Sequence, residues 1–351
     1  MRIVQVLPTI AMGDAVGNNC RAIDAILHEA GFDTSIYAQN IDPRLPARTA
    51  RSINELGRLD DRDVMIYHMS IAFNRNLSEY GGHRIFQYHN VTPPEFFRDY
   101  SPQLGMLCEN GLREVRSLSD IPELCWADSE FNKQDLRKYG YTCCVHTVPI
   151  LVPFEDYEKP ADKDVIRKYD DDYVNFLFVG RVAPNKAQED VIRTFAWYQR
   201  HINPRCRLFL VGNADMTSYV GRLKRYIKLL GVKNVIFPGH ISFSAVLAYY
   251  RVADVFLCMS QHEGFCVPLL EAMHFHIPIL ARNTTAIPYT LGGSGVLLED
   301  NDPIKAALMA DRLMTDKSFR DAVVAAQDKR LQDFSNEKIK AQILDELKLF
   351  S

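Results

Sequence analysis

The stretch Asp254–Pro278, DVFLCMSQHEGFCVPLLEAMHFHIP, reads as strand, loop and helix in immediate succession. Asp254–Met259 has the β-branched and aromatic side chains of a strand, and Gln261–Gly264 is polar enough for a loop. Pro268 opens a helix through Phe275, since the N–H that proline lacks has no partner in a first helical turn anyway. A helix N-terminus facing a strand end suits polar ligands. The loop carries the carboxylate of Glu263 and the first helical turn that of Glu271, with seven residues between them. Gly264 frees the backbone to approach a ligand closely. Glutamates at this spacing also occur in helices that bind nothing, where an acid near the start favours the helix dipole. A catalytic acid and base would have to converge on one bond, which spacing does not show.

Working outward, strand-like runs recur on both sides. Arg2–Pro8 is a buried-strand pattern, followed by Gly13 and Gly17 and a helix from about Asn18 to Ala30. This order is compatible with a phosphate-binding loop at Gly13. The next run, Thr34–Ala38, ends in Gln39–Asn40, where a dinucleotide fold would place an acid for the ribose, which argues against NAD. Further runs lie at Val64–Tyr67, Arg84–Tyr88, Leu124–Ala127 and Val145–Pro149. A proline-containing, charged segment, LVPFEDYEKPADKD, then reads as an interdomain linker. The second series is Val174–Val179, Arg207–Val211, Val235–Pro238, Val255–Cys258, Pro278–Ala281 and Val296–Leu298. Three helices close the chain, with Asp302 and Ser335 expected as N-caps of the first and third. The expectation is two parallel α/β domains, 1–155 and 156–335, and a final helix, 336–351, packing back on the first.

Composition narrows the class. The chain has 351 residues, 47% hydrophobic and 24% charged, at a net charge of −3, so no global charge calls for nucleic acid. Its eight cysteines lack paired C-x2-C spacing, and no zinc framework is expected. Met1–Thr9 reads as a strand rather than a signal peptide, and no run reaches the length of a membrane helix. These features lead to a cytoplasmic expectation with reduced thiols.

The string EGFCVPLLEAM resembles the E-x7-E signature of the retaining glycosyltransferases of family four, enzymes of the GT-B fold with two Rossmann-like domains facing a cleft. The resemblance implies that Glu263 contacts the donor sugar and Glu271 the nucleotide ribose, with Gly264, Phe265, Cys266 and Val267 lining the donor site. VGRVAPNKAQEDVIRTF, from Val179, is similar to the family's G-R-x-x-x-x-K stretch. Gly180 permits a tight turn, and Arg181 and Lys186 pair a donor fork with a point charge, a set suited to two adjacent phosphates. By residue type alone the same loop serves as a solvated basic segment. In QYHNVTPPEFFRDYSP, His89 follows a strand, where the family commonly has a histidine that reaches the sugar; a structural histidine would occupy the same position. Gly13 completes the donor-binding set.

Two further stretches leave alternatives open. The apolar residues Pro93, Pro94, Phe96 and Phe97 fit ordinary packing or an acceptor rim, and the basic residues from Arg222 to Lys233 fit a solvated outer helix or an anionic lipid surface. Asp61-Arg-Asp63 has the spacing of metal-dependent transferases but leads into a strand and is read as its start. One departure stands out: His276 occupies a helix-end position usually small, often glycine, in the family.

The resemblance therefore implies a metal-independent, retaining hexosyltransferase with no cofactor. Its donor would be GDP-mannose or a UDP-hexose as co-substrate, and its acceptor a saccharide or lipid-linked saccharide in polysaccharide biosynthesis. Peripheral association with the cytosolic face of a membrane is compatible with this reading. A sugar-nucleotide epimerase, a pyridoxal-dependent phosphorylase of the same fold and a non-catalytic sugar-nucleotide-binding module are the alternatives.

Overall fold

The runs of Val, Ile, Leu and Phe collect into two parallel sheets, as expected for strands buried on both faces. The computed structural model describes residues 1–73 and 75–350. In the first unit the strands are β1 (Arg2–Ile10), β2 (Asp33–Ile41), β3 (Arg51–Ser52), β4 (Leu59–Met69), β5 (Gly81–Tyr88), β6 (Leu124–Ala127) and β7 (Cys144–Thr147). In the second they are β8 (Val174–Val179), β9 (Cys206–Val211), β10 (Val235–Ile236), β11 (Val255–Cys258), β12 (Ile279–Arg282) and β13 (Val296–Leu298). The orders are β3-β2-β1-β4-β5-β6-β7 and β10-β9-β8-β11-β12-β13. Both follow the doubly wound pattern, in which the chain reverses its direction of travel across the sheet after the third strand. The switch points lie between β1 and β4 and between β8 and β11.

The first unit comprises Met1–Pro153 and Phe334–Ser351, the second Phe154–Asp333. The C-terminal helix Asn336–Leu347 returns to the first unit because its apolar stripe has a place there: Ile339, Ile343 and Leu347 join Ile3, Ile23, Leu27 and Trp126 in one buried cluster. Polar contacts fix its register, with Trp126 Nε1 donating to Glu346 Oε2 at 2.5 Å and Gln342 donating to the Thr147 carbonyl at 3.0 Å.

Several local expectations are corrected. The first helix spans Ala15–Glu29 and is capped by Asp14, whose carboxylate accepts from Gly17 N at 3.0 Å. Gly17 therefore lies in the helix, not in a loop, and a Cβ there would sit 3.2 Å from Ile10 Cγ1, so its role is close helix–strand packing. β10 stops at Ile236, two residues short of the expected Pro238. Ser335 occupies an N-cap position without making a side-chain cap bond, whereas Asp302 and the unforeseen Asp316 do cap their helices. The segment read as linker is structured, with helices Phe154–Tyr157 and Lys163–Tyr169. Asp61 and Asp63 lie within β4, and Asp63 accepts from the Arg2 and Asp60 backbones at 2.9 and 3.1 Å, which accounts for that carboxylate structurally. Pro94 and Phe97 are buried in the first unit, with Pro93 and Phe96 half-buried beside them. Tyr219, Val220 and Leu223 turn one side of the helix Thr217–Leu230 inward, leaving Arg222, Lys224, Arg225 and Lys228 exposed. No helix among the described residues is long and apolar enough to cross a membrane.

The C-terminal helix yields a stability prediction. Ile343 is fully buried in the first unit, so Ile343→Ala should destabilise that unit by about 2–5 kcal/mol through lost burial and the cavity left behind. The two tryptophans, Trp126 and Trp197, fall one in each unit. Urea titration of Trp197→Phe protein, in which Trp126 alone reports, should show the loss; an unchanged midpoint would contradict this packing.

Candidate active site

The second sheet brings the sequence motifs together at its switch point. β8 leads into Gly180, whose N–H donates to the Val211 carbonyl at 2.9 Å. At the adjacent strand end Gly212 has φ +144°, and a Cβ there would fall 2.1 Å from the Gly180 carbonyl oxygen, so only glycine fits. The loop then forms the short turn Pro184–Lys186, ended by Ala187 in the left-handed region at φ +48°. Asn185 joins this loop to the one after β11: its carbonyl accepts from Gln261 N at 2.8 Å and its side chain donates to the His262 carbonyl at 3.2 Å.

This joining sets Lys186 Nζ 2.6 Å from Glu263 Oε2. The carboxylate is nearly enclosed, its side chain 7% exposed against 23% for the lysine. Burial pushes the lysine pKa down, but the charge and hydrogen bond of Glu263, together with the neighbouring Cys266 and Cys258, outweigh it and hold the ammonium above its ordinary value. Thr285 supports the same loop, its hydroxyl accepting from Glu263 N at 3.0 Å, and the Thr290 hydroxyl donates to the Phe265 carbonyl at 2.5 Å. Arg181 is different in kind. Its side chain is about half in solvent, with Nε donating to Asp215 at 3.3 Å, while its carbonyl accepts from Gln188.

The helix after the loop is Val267–His274, with Cys266 as its N-cap at φ +71°. Glu271 is the fifth residue of this helix, beyond the first turn expected for it. Both of its oxygens are engaged: Tyr157 donates to Oε1 at 2.6 Å, and the Tyr250 hydroxyl donates to Oε2. Burial raises the Glu271 pKa above the usual carboxylate range, and the two tyrosine hydrogen bonds work against that rise. Sequence reasoning missed both tyrosines; Tyr157 sits in the segment read as linker. His276 takes the left-handed conformation at φ +55° and pairs through Nδ1 with Asp328 at 2.8 Å, so a side-chain partner accompanies the strain that glycine would avoid.

In the first unit, Gly13 has φ +75° in the turn after β1. His89 follows β5 and lies within a buried polar chain. Gln5 Nε2 donates to the Cys20 carbonyl at 2.9 Å, which turns Gln5 Oε1 toward His68 Nε2 at 3.0 Å and makes that nitrogen a donor. Burial, reinforced by the adjacent His89, holds the His68 pKa well below its ordinary value. His68 Nδ1 therefore accepts from His89 Nε2 at 2.9 Å, and His89 Nδ1 faces Asp128 Oδ2 at 2.8 Å. Both ring nitrogens of His89 are engaged by partners that the sequence reading had not linked to it.

Comparison with known proteins agrees with this architecture. Residues 158–330, almost all of the second unit, match the family described as Glycosyl transferases group 1. O-antigen chain mannosyltransferase B of Escherichia coli is 24% identical over 242 residues, covering 66% of this chain; the match covers 61% of that enzyme, so the chain spans less than two thirds of its length. Among solved structures, sucrose-phosphate synthase from Thermosynechococcus elongatus aligns with a TM-score of 0.76 at 16% identity, covering 99% of each chain. Anabaena HepE, solved with UDP and glucose, aligns at 0.74 and 17%, covering 99% of this chain and 100% of that one. The second unit thus carries a segment that matches the group 1 glycosyl transferases, and the two doubly wound parallel sheets are those of the GT-B fold.

Proposed function

We propose that the protein transfers a hexose from a nucleotide diphospho-sugar to a hydroxyl of a saccharide or lipid-linked saccharide, with retention of anomeric configuration. The observation that carries this reading is the Lys186–Glu263 pair at the switch point of the second sheet, with Arg181 exposed on the same loop and Glu271 on the following helix. Arg181 and Lys186 would bind the diphosphate and stabilise the charge that develops as it leaves. Glu263 would accept hydrogen bonds from sugar hydroxyls, and Glu271 from the ribose. With both its ring nitrogens engaged, His89 is assigned support of the donor side through its buried chain rather than a ring contact to the sugar. The departing phosphate would take the acceptor proton on the same face of the sugar, a route that needs no protein base.

GDP-mannose and UDP-hexoses are the donors this reading favours, supported by the mannosyltransferase relative and by the UDP and glucose present in the HepE structure. No cofactor or metal enters the proposed step. The expected setting is the cytoplasmic side of polysaccharide assembly, with peripheral membrane contact an extension of the same reading.

The two cations should behave differently on removal. Arg181 gives up only an exposed pair, of a kind that contributes about 0–1 kcal/mol to stability, so Arg181→Ala should fold normally. Its single-turnover transfer should fall by roughly 100- to 1,000-fold, as for other lost transition-state stabilisers. Lys186→Ala strands an enclosed carboxylate, a loss of about 3–5 kcal/mol for a fully buried pair, reduced here because the lysine is 23% exposed. Transfer by Arg181→Ala within about threefold of wild type, an effect near 0.65 kcal/mol, or a product of inverted anomeric configuration by NMR, would overturn the reading.

The tyrosines predict a pH effect. Only the ionised form of Glu271 accepts from both ribose hydroxyls, so nucleotide affinity should fall as pH drops through its raised pKa. Tyr157→Phe removes a hydrogen bond that opposes that rise, so the fall should begin at higher pH. Calorimetric titration of UDP and GDP across pH would show a displaced profile; a superimposable profile would remove Tyr157 from this role.

A further inference from the structure

Two thiols beside Glu263 take no part in the proposed chemistry. Cys258 ends β11 and Cys266 begins the next helix, and their Sγ atoms lie 4.0 Å apart. A tetrahedral zinc ion with Zn–S bonds of about 2.3 Å holds two thiolates about 3.8 Å apart, so the pair already stands near the edge length of such a site. A Glu263 carboxylate oxygen adds a third atom, the three lying within 4.8 Å of one another in buried residues. Cys266 also holds a left-handed backbone at φ +71° that L side chains rarely adopt. Observed strain of this kind is a reason to look for a function.

We propose that Cys258, Cys266 and Glu263 form a site for a thiophilic divalent cation of the zinc class, and that its occupation blocks donor binding. Two thiol protons leave as one dication enters, so the net charge of the cluster does not change. Two thiolates and one carboxylate around a dication carry one negative charge, and Lys186, 2.6 Å from Glu263, is the ammonium that balances it. A water occupies the fourth position of the tetrahedron. Hard cations such as magnesium and calcium prefer oxygen ligands and are selected against by the sulfur pair. Metal binding stands on the geometry of the cluster alone, whereas the blocking effect rests on the role proposed above for Glu263.

The test uses reduced full-length protein titrated with Co²⁺ as a spectroscopic stand-in for zinc. Wild type should bind one ion per chain with thiolate-to-cobalt charge-transfer and intense tetrahedral ligand-field bands, and equimolar Zn²⁺ should bleach them. Affinity should rise with pH, because the thiols must lose protons to bind. Cys258→Ala should bind cobalt about 100-fold or more weakly, beyond the effect of losing an outer partner, while still binding sugar nucleotide. Zn²⁺ should weaken nucleotide-sugar binding to wild type and not to Cys258→Ala. Absence of charge-transfer bands, or bands that persist in Cys258→Ala, would overturn the metal site. Cobalt bands with donor affinity unaffected by Zn²⁺ would overturn the blocking effect. Cobalt bands in a protein that binds no sugar nucleotide would refute the transferase reading while leaving the metal site in place.

Discussion

Lys186 and Glu263 lie 77 residues apart and meet at 2.6 Å because β8 and β11 are hydrogen-bonded neighbours. That pairing is the constraint on which the second unit's chemistry depends. In a doubly wound sheet the loops after these two strands diverge, one chain direction crossing over each face, and the crevice they leave collects polar ligands. Here Asn185 holds the two loops together through backbone and side-chain hydrogen bonds, and the Thr284–Ala286 turn supports the glutamate loop from behind, with Thr284 donating to the Ser260 carbonyl at 2.9 Å. The ion pair is thus held by loops that are themselves fixed, which is the condition for a preorganised electrostatic site.

The polar groups around this point differ in how readily they can respond to a ligand. Arg181 and Asp215 are both about half in solvent, so exchanging the aspartate for a phosphate would cost little. Lys186 cannot leave Glu263 without exposing it to an unpaired, largely dry environment, so an arriving anion would have to share the ammonium rather than capture it. Glu271 is held from two sides by Tyr157 and Tyr250, with Phe275 stacked on Tyr250 at a centroid distance of 5.0 Å. Its carboxylate therefore has a fixed orientation without a counter-charge. In the first unit the chain Gln5–His68–His89–Asp128 satisfies buried polar groups that would otherwise be costly.

Much of the fold was legible because strands buried on both faces need largely apolar runs: β6, β11 and β13 are apolar throughout, and β8 is broken only by Asn175. β3 was not, since Arg51–Ser52 has no pattern of its own and is held by pairing with β2. Glu263 and Glu271 could be picked out because local chemistry marks them, but the second turn of the helix, rather than the first, holds Glu271 once Cys266 becomes the cap. Tyr157 was hidden in a charged, proline-flanked segment whose composition resembles a linker; only tertiary packing brings its hydroxyl to Glu271, 114 residues away. Gln5, His68 and Asp128 were invisible for the same reason, because contacts between parallel strands join residues with no sequence relation. His276 shows the reverse case: its unusual helix end was visible, but its partner Asp328 was not.

The central claim is that Lys186 and Glu263 act as one unit in holding the donor. A double-mutant cycle on donor affinity, with Lys186→Gln, Glu263→Gln and both together, measures this most directly. Residues in one buried network typically couple by about 0.5–3 kcal/mol, and the account places this pair in the upper half of that range, so the double variant should bind donor far better than the two single losses would predict if added. Strictly additive losses would show that the two side chains act independently and that the pairing at the sheet's switch point is not what organises the site.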